Sequence, residues 1–194
     1  LDYLSGNEGA DRIFGGTGDD RIDGGDGLDN DVIFGDNGFF GLTLNVNDME
    51  STFHAFGGVD WITGGPGVDI IIGGSGGNDI NGVGGDVISG NNGEDFLFGD
   101  GAKVQLDTNN QVTNVETLFT TVGGDDFIDD ETAFTDRSDS ALYTTAGFVE
   151  STSLGGDIIM GGQGNDTLYG GERDADSDII LGDNGYSDRD GQGN

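Results

Sequence analysis

Cysteine is absent from this chain of 194 residues, and only six residues are lysine or arginine. Without cysteine the protein can form neither disulfide bonds nor thiolate metal sites, so oxygen atoms are the metal ligands that remain. Six basic residues against 38 acidic ones exclude nucleic acid and anionic membrane surfaces as natural partners, because both require clustered Lys and Arg. The formal net charge of -32 favours cations as partners instead.

Long apolar segments are also missing. No run approaches the roughly 18 residues of a membrane helix, so membrane insertion is not expected, and the N-terminus does not have the pattern of a signal peptide. Hydrophobic residues make up 32% of the chain, well below the roughly 45–50% of a globular domain, so the chain should not collapse alone. Composition by itself would equally fit a disordered acidic tail. The chain opens at Leu1-Asp2-Tyr3-Leu4, inside a repeat, which indicates that it is cut from a longer protein.

Glycine is the residue that the chain has in abundance, with 41 copies. Between Gly64 and Phe98 the glycines recur with a period of nine, as GGPGVDIII, GGSGGNDIN, GVGGDVIS and GNNGEDFLF, the third copy being one residue short. Each unit places glycines first, an acid or amide at the sixth position and an aliphatic residue two places later. So short a period cannot build one globular core, so the units must stack as a coil of turns and very short strands.

Thirteen pairs of an acid or amide and an aliphatic residue follow this rule along the chain. The aliphatic residue is Ile or Leu in every pair, which a random acid-rich chain would not maintain. After Gly27 the strand register fits Asp31 better than Asp29, and either acid remains a candidate ligand. The pairs are Asp2/Leu4, Asp11/Ile13, Asp20/Ile22, Asp31/Ile33, Asp60/Ile62, Asp69/Ile71, Asn78/Ile80, Asp86/Ile88, Asp95/Leu97, Asp126/Ile128, Asp157/Ile159, Asp166/Leu168 and Asp178/Ile180.

Glycine-poor inserts divide the repeats into blocks. We place the blocks at about 1–38, 57–101, 123–129 and 155–185, and the inserts at about 39–56, 102–122 and 130–154, all within one elongated array over 1–194. Period-two patterns predict that the inserts are β-hairpins protruding from the coil. A separate small domain is the alternative, which the few apolar residues of the inserts disfavour.

Two phrases recur at the borders of the inserts. Three blocks close with an exit phrase, and three inserts end in a shared cadence of an apolar residue, Glu and Ser or Thr. The exit phrases are Phe34-Gly35-Asp36-Asn37-Gly38, Phe98-Gly99-Asp100-Gly101 and Leu181-Gly182-Asp183-Asn184-Gly185, and the cadences are Met49-Glu50-Ser51-Thr52, Val115-Glu116-Thr117 and Val149-Glu150-Ser151-Thr152.

The nonapeptides GGTGDDRID (15–23), GGPGVDIII (64–72) and GGQGNDTLY (161–169) resemble the G-G-x-G-x-D-x-U-x repeat of the RTX, or haemolysin-type calcium-binding, family. The resemblance implies an all-β parallel β-roll, in which two nonapeptides make one turn, the two short strands fall on opposite sheets, and Ca²⁺ lies in the glycine turns. It also implies an extracellular or cell-surface protein that is secreted unfolded by a type I system.

Acids eighteen residues apart should stack one coil turn apart in such a roll, as in Asp2 and Asp20, Asp11 and Asp29, or Asp60 and Asn78. Neighbouring carboxylates about 5 Å apart would repel by roughly 3 kcal/mol at an effective dielectric near 20, so without a cation the columns oppose folding. Ca²⁺ accepts several oxygen ligands in flexible geometry, whereas Mg²⁺ demands a stricter octahedron. We therefore expect folding to be coupled to binding of several Ca²⁺ ions at about 0.1–1 mM.

The predicted calcium ligands are the acids and amides of the sixth position together with backbone carbonyls of the glycine turns. The side-chain ligands are Asp2, Asp11, Asp20, Asp29, Asp31, Asp60, Asp69, Asn78, Asp86, Asp95, Asp126, Asp157, Asp166 and Asp178, and the carbonyl ligands are those of Gly15, Gly16, Gly18, Gly64, Gly65, Gly67, Gly73, Gly74, Gly161, Gly162 and Gly164.

Other candidate sites have weaker support. The segment Asp174–Asp178 mimics the start of an EF-hand loop but lacks its glycine and glutamate, so a lengthened repeat turn fits better. His54 is the only histidine, and no motif supplies partners for a catalytic triad. Trp61 and Phe127 should face outward, where we expect a packed insert to cover them rather than a glycan or partner to contact them. Paired acids suit glycosidase chemistry only across a cleft, so no enzyme is predicted.

The sequence thus predicts a calcium-binding structural segment of an extracellular RTX protein, in an adhesin, surface layer or filament-type scaffold. The alternative is the calcium-binding, secretion-assisting region of a secreted enzyme or toxin. Besides calcium, self-association and a glycan or surface ligand are the candidate partners.

Overall fold

The computed structural model describes residues 1–42, 47–52, 56–75, 85–109, 111–118, 123–124, 126–129, 156–170, 178–183 and 186–188. Within these residues the chain is all-β, with seventeen strands in three sheets and no helix. Thirteen of the strands are three residues long, and twelve of these come from the repeats, because a nine-residue unit leaves about three residues for a strand once the glycine turn is made.

Successive repeats place their strands alternately in two parallel sheets. The first sheet contains β1 (Tyr3–Ser5), β3 (Arg21–Asp23), β7 (Trp61–Thr63), β9 (Val87–Ser89), β13 (Phe127–Asp129) and β15 (Thr167–Tyr169), in that order. The second sheet has the order β2 (Arg12–Phe14), β4 (Val32–Phe34), β8 (Ile70–Ile72), β10 (Phe96–Phe98), β14 (Ile158–Met160) and β16 (Ile179–Leu181). This alternation is the predicted parallel β-roll, and that prediction is confirmed.

The central residues of eleven of the twelve roll strands pack between the two sheets, and the twelfth, Ile180 on the terminal strand β16, is 45% exposed. One buried cluster consists entirely of these aliphatic residues and fills the inside of the roll, and each of them had been predicted from its distance to the acid position. The cluster contains Ile13, Ile22, Ile33, Ile62, Ile71, Ile88, Leu97, Ile128 and Ile159, with Leu4 and Leu168 packed against it. Full burial of one such side chain contributes roughly 1.5–3 kcal/mol, so the stacked aliphatic column is a main source of cohesion.

A third, antiparallel sheet is built from the inserts. Its order is β17 (Tyr186–Asp188), β12 (Val112–Thr117), β11 (Ala102–Leu106), β6 (Asn47–Ser51) and β5 (Gly38–Leu42). The first insert supplies the hairpin β5–β6 and the second supplies β11–β12, so the predicted hairpins are confirmed there. The third insert, 130–154, lies outside the described residues.

The hairpins do not protrude from the coil, and that prediction was wrong. They pair edge to edge through β6 and β11, and their apolar face packs on the outer face of the second sheet. Met49 and Val104 from the third sheet share one buried cluster with Phe34, Ile72 and Phe98 from the second. An insert hairpin has too few apolar residues for a core of its own, so its apolar face is buried against the second sheet of the roll.

Trp61 and Phe127 lie half-buried on the outer face of the first sheet. The described inserts cover the second sheet instead, so they do not supply the cover that was predicted for these two aromatic residues. The ring of Phe127 lies 6.0 Å from that of Tyr169, its neighbour on β15. His54 lies outside the described residues.

Candidate metal centre

Two columns of aspartates run along the roll at the turns that lead into its strands. In each column one carboxylate oxygen, Oδ1, accepts a hydrogen bond from the backbone N–H of the aspartate one turn earlier. One column is Asp2, Asp20, Asp60, Asp86, Asp126 and Asp166, with N–O distances of 2.6–3.1 Å. The other is Asp11, Asp31, Asp69, Asp95, Asp157 and Asp178, at 2.7–3.1 Å.

In nine of the twelve column aspartates the second carboxylate oxygen, Oδ2, lies beside a glycine. Asp86 Oδ2 lies against the α-carbon of Gly73, where a Cβ would collide with it and with the carbonyl oxygen of Gly99, one turn along the roll. The Oδ2 atoms of four column aspartates are buried and receive no hydrogen bond from the described residues, although a buried carboxylate oxygen ordinarily needs a donor or a cation. These four residues are Asp11, Asp20, Asp60 and Asp86.

Asp31, rather than Asp29, occupies the column position above Asp11. The backbone N–H of Asp11 donates to Asp31 Oδ1 at 2.8 Å, while Asp29 is exposed. The stacking predicted between Asp11 and Asp29 was therefore wrong. The reason is the register of β4, in which Ile33 is the inward residue and so fixes the acid two places before it.

Asp60 stacks on Asp86, and the predicted stacking of Asp60 on Asn78 was wrong. The N–H of Asp60 donates to Asp86 Oδ1 at 2.8 Å, and β7 pairs directly with β9. The two residues are 26 apart, which shows that strand pairing and not the eighteen-residue spacing decides which acids meet. Asn78 itself lies outside the described residues.

The glycine turns bring backbone carbonyl oxygens to the same places. A Cβ added at Gly35 would meet both the carbonyl oxygen of Gly73 and Asp60 Oδ2, and one added at Gly99 would meet both the carbonyl oxygen of Gly161 and Asp126 Oδ2. Gly74, at the second position, has a left-handed φ of 122°, which an L side chain rarely adopts. Left-handed φ values also occur at Gly16, Gly18, Gly65, Gly162 and Gly164.

Burial makes these carboxylates resist ionisation in the metal-free chain. Desolvation raises the pKa of Asp60 to about 8, with the charge of Asp36 adding to the shift against a hydrogen bond from Asp20. Burial also raises the pKa of Asp86 well above its usual value, and the charge of Asp126 adds to it. The pKa of Asp31 is raised by the same desolvation. A carboxylate that is charged in such a place requires a nearby cation.

Sequence reasoning missed the roles of Asp36 and Asp100, although it singled out the exit phrases that contain them. Asp36 is buried and accepts hydrogen bonds from Gly58 N at 3.1 Å and from Ser75 N at 2.8 Å. Asp100 is bound in the equivalent way by Gly124 N and Gln163 N. Each carboxylate joins the end of one block to the glycines at which the next block begins, and desolvation raises each pKa to about 7.

The donor set fits Ca²⁺ only if backbone oxygens take part. Among the described residues, no three acidic or histidine side chains converge on a point that could hold a metal. Carboxylate and carbonyl oxygens are both ligands of Ca²⁺, whereas thiol and imidazole ligands suited to Zn²⁺ are lacking here. We call the space beside a glycine α-carbon that a Cβ would fill a glycine cradle. The buried Oδ2 atoms and the glycine cradles therefore fit a hard cation with mixed carboxylate and carbonyl ligands.

A parallel roll with an aspartate column at each set of glycine turns defines a calcium-binding β-roll. The family model described as the RTX calcium-binding nonapeptide repeat matches in four copies, over residues 2–30, 54–86, 82–102 and 151–187. The chain belongs to this family. A search of curated proteins and a search of solved structures each found no match.

Family membership settles the broad function. The repeats are structural and calcium-binding rather than catalytic, and they are typical of extracellular proteins secreted by type I systems. The chain is therefore a calcium-binding segment of a secreted protein. None of the described residues belongs to a helix long and apolar enough to cross a membrane.

The metal-free fold is expected to gain stability as the pH decreases from about 8 to about 6. The folded pKa of Asp60, about 8, and of Asp36, about 7, lie above the unfolded value of 3.8, so in this range the metal-free fold binds protons that the unfolded chain does not. Each such proton raises the free energy of unfolding by up to about 1.4 kcal/mol per pH unit. Circular dichroism of the chain in EDTA at the two pH values measures the strand content, which should be higher at pH 6. Equal strand content at both pH values would contradict this prediction.

Proposed function

We propose that Ca²⁺ ions bind between the aspartate columns and the glycine turns, and that this binding folds the chain after secretion. The side-chain ligands in this proposal are the twelve column aspartates, and the carbonyl ligands are those predicted for the glycine turns. The observation that carries the proposal is the buried, unpartnered Oδ2 atom of Asp20, Asp60 and Asp86 beside a glycine cradle.

The folded segment serves as a rigid stalk or layer in an adhesin, surface-layer or filament-type scaffold. Support comes from the way in which the inserts are used. Instead of forming a separate domain, the hairpins add a third layer. Its strands follow the order of the second-sheet strands, and its apolar side chains share one buried cluster with that sheet. A three-layered rod of this kind resists bending better than a bare coil of three-residue strands, as a scaffold requires.

Titration calorimetry of the wild-type chain and of Asp86→Asn tests the proposed ligands. Asn keeps the oxygen that accepts the hydrogen bond from Asp60 N but removes the charge, so calcium affinity is expected to fall on the order of tenfold, because ligand charge tunes affinity. Asp23→Asn is the matched control, since Asp23 is an exposed residue on β3 outside both columns. If both variants bind like the wild type, Asp86 is not a ligand.

A further inference from the structure

The second and third sheets add strands at the same rate along the roll. The strands β4, β10 and β16 lead through an exit phrase into β5, β11 and β17 respectively. In the second sheet one strand separates β4 from β10 and one separates β10 from β16, and in the third sheet one strand likewise separates β5 from β11 and β11 from β17. Because strands are spaced by about 4.8 Å in both sheets, the first strand of each insert arrives beside the second strand of the insert before it.

The register at these junctions is the same each time. Lys103, three residues after the exit aspartate Asp100, pairs with Glu50 of the preceding insert, and the Lys103 Nζ to Glu50 Oε2 distance is 3.9 Å. Tyr186, three residues after Asp183, pairs with Glu116. Both glutamates belong to the apolar–Glu–Ser/Thr cadence, so the cadence marks the strand on which the next insert docks.

Phe39 holds the same position in the first insert, three residues after Asp36, but β5 is the last strand of the third sheet among the described residues. The side chain of Phe39 is 56% exposed. On the neighbouring outer face of β2, Phe14 is 37% exposed and stacks on Phe34, and the Arg12 guanidinium lies over the ring of Phe40. An edge with these properties is an acceptor for another strand.

We propose that the edge of β5 is a docking site for an antiparallel strand of the β6 and β12 kind, with the pattern apolar–Glu–Ser/Thr, from a further RTX insert. Its Glu would lie beside Phe39 on the solvent face, and its apolar residue beside Phe40 would cover Phe14. The proposal extends the junctions β6–β11 and β12–β17 by one more of the same kind. In a folded second copy β6 and β12 are already paired on both sides, so neither of these two strands can supply the docked strand.

Hydrogen exchange of the calcium-loaded chain, with and without a synthetic peptide of residues 111–118, tests the proposal. This peptide is the sequence of β12 and carries the cadence with Glu116. We expect slower exchange of the β5 amides of Gly38–Leu42 when the peptide is added. The amides of β8 should stay protected throughout, which shows that the roll is folded. A peptide of the same composition in scrambled order is the control, and unchanged exchange in β5 at saturating peptide overturns the proposal.

A charge exchange tests the register. Phe39→Lys should strengthen binding of the peptide, and Phe39→Glu should weaken it, each by roughly two- to fivefold, as expected for a directly opposed pair. With a peptide carrying Glu116→Lys the order of the two variants should reverse. Phe39 is exposed, so both variants retain the core. If the order does not reverse, the contact is unspecific apolar adhesion and the proposed docking register is wrong.

Discussion

In EDTA at neutral pH the chain is expected to lose the circular dichroism of its β-strands and to regain it at about 0.1–1 mM Ca²⁺. Two columns of buried carboxylates run through the roll, and the chain has a net charge of -32. Without a cation each ionised carboxylate must be desolvated beside others of the same sign, which costs several kcal/mol per ion. Once a few sites are empty, the summed cost exceeds the stability of about 5–15 kcal/mol that a domain usually has.

Two controls separate specific binding from screening. Mg²⁺ at the same concentration should leave the chain unfolded, since it requires a stricter octahedron and retains its water. Sodium chloride of matched ionic strength should also fail, because screening acts weakly on buried charges. Equal strand content in EDTA and in Ca²⁺ would show that the fold does not depend on the ion.

Gly73→Ala is expected to destabilise the calcium-loaded roll by about 3 kcal/mol or more. The added Cβ would collide with Asp86 Oδ2 and with the carbonyl oxygen of Gly99, both of which are held in stacked turns and cannot swing away. Overpacking in a dense interior costs roughly 1–3 kcal/mol, and here one of the displaced atoms, Asp86 Oδ2, is also a proposed calcium ligand. Urea unfolding in saturating Ca²⁺ measures the loss.

Gly182→Ala is the matched control. Gly182 also follows directly on a roll strand, but a Cβ at Gly182 has no atom of the described residues within 4 Å. Its effect should stay within about 0.5 kcal/mol, as for an ordinary surface position. If Gly73→Ala were as stable as Gly182→Ala, the glycine cradle would not be essential to the turn.

The repeat chemistry could be read from sequence because it is local. The distance of two residues between acid and aliphatic positions forces one side chain inward and the other into the turn, and Ile71 and Leu97 accordingly pack inside the roll. The choice between Asp29 and Asp31 follows the same rule once Ile33 is known to point inward.

Three features could not be predicted from sequence, because they depend on pairing between distant segments: which column aspartates stack, where the inserts pack, and which residues bind the exit aspartates. Asp60 meets Asp86 and not Asn78 because β7 pairs with β9, which no fixed period encodes. Val104 meets Met49 across a junction between two inserts, and this contact exists only after the roll has brought both inserts to one face. The exit aspartates were visible as a repeated phrase, but their partners Gly58 and Ser75 lie 22 and 39 residues away from Asp36.

Anomalous X-ray scattering from crystals grown in Ca²⁺ tests the central claim most directly, because it locates the ions. The account predicts a row of calcium peaks along each aspartate column, including one in contact with Asp86 Oδ2 and a glycine carbonyl of the adjoining turn. Peaks confined to exposed acids such as Asp23 or Asp29, with no ion at the buried Oδ2 atoms, would contradict it.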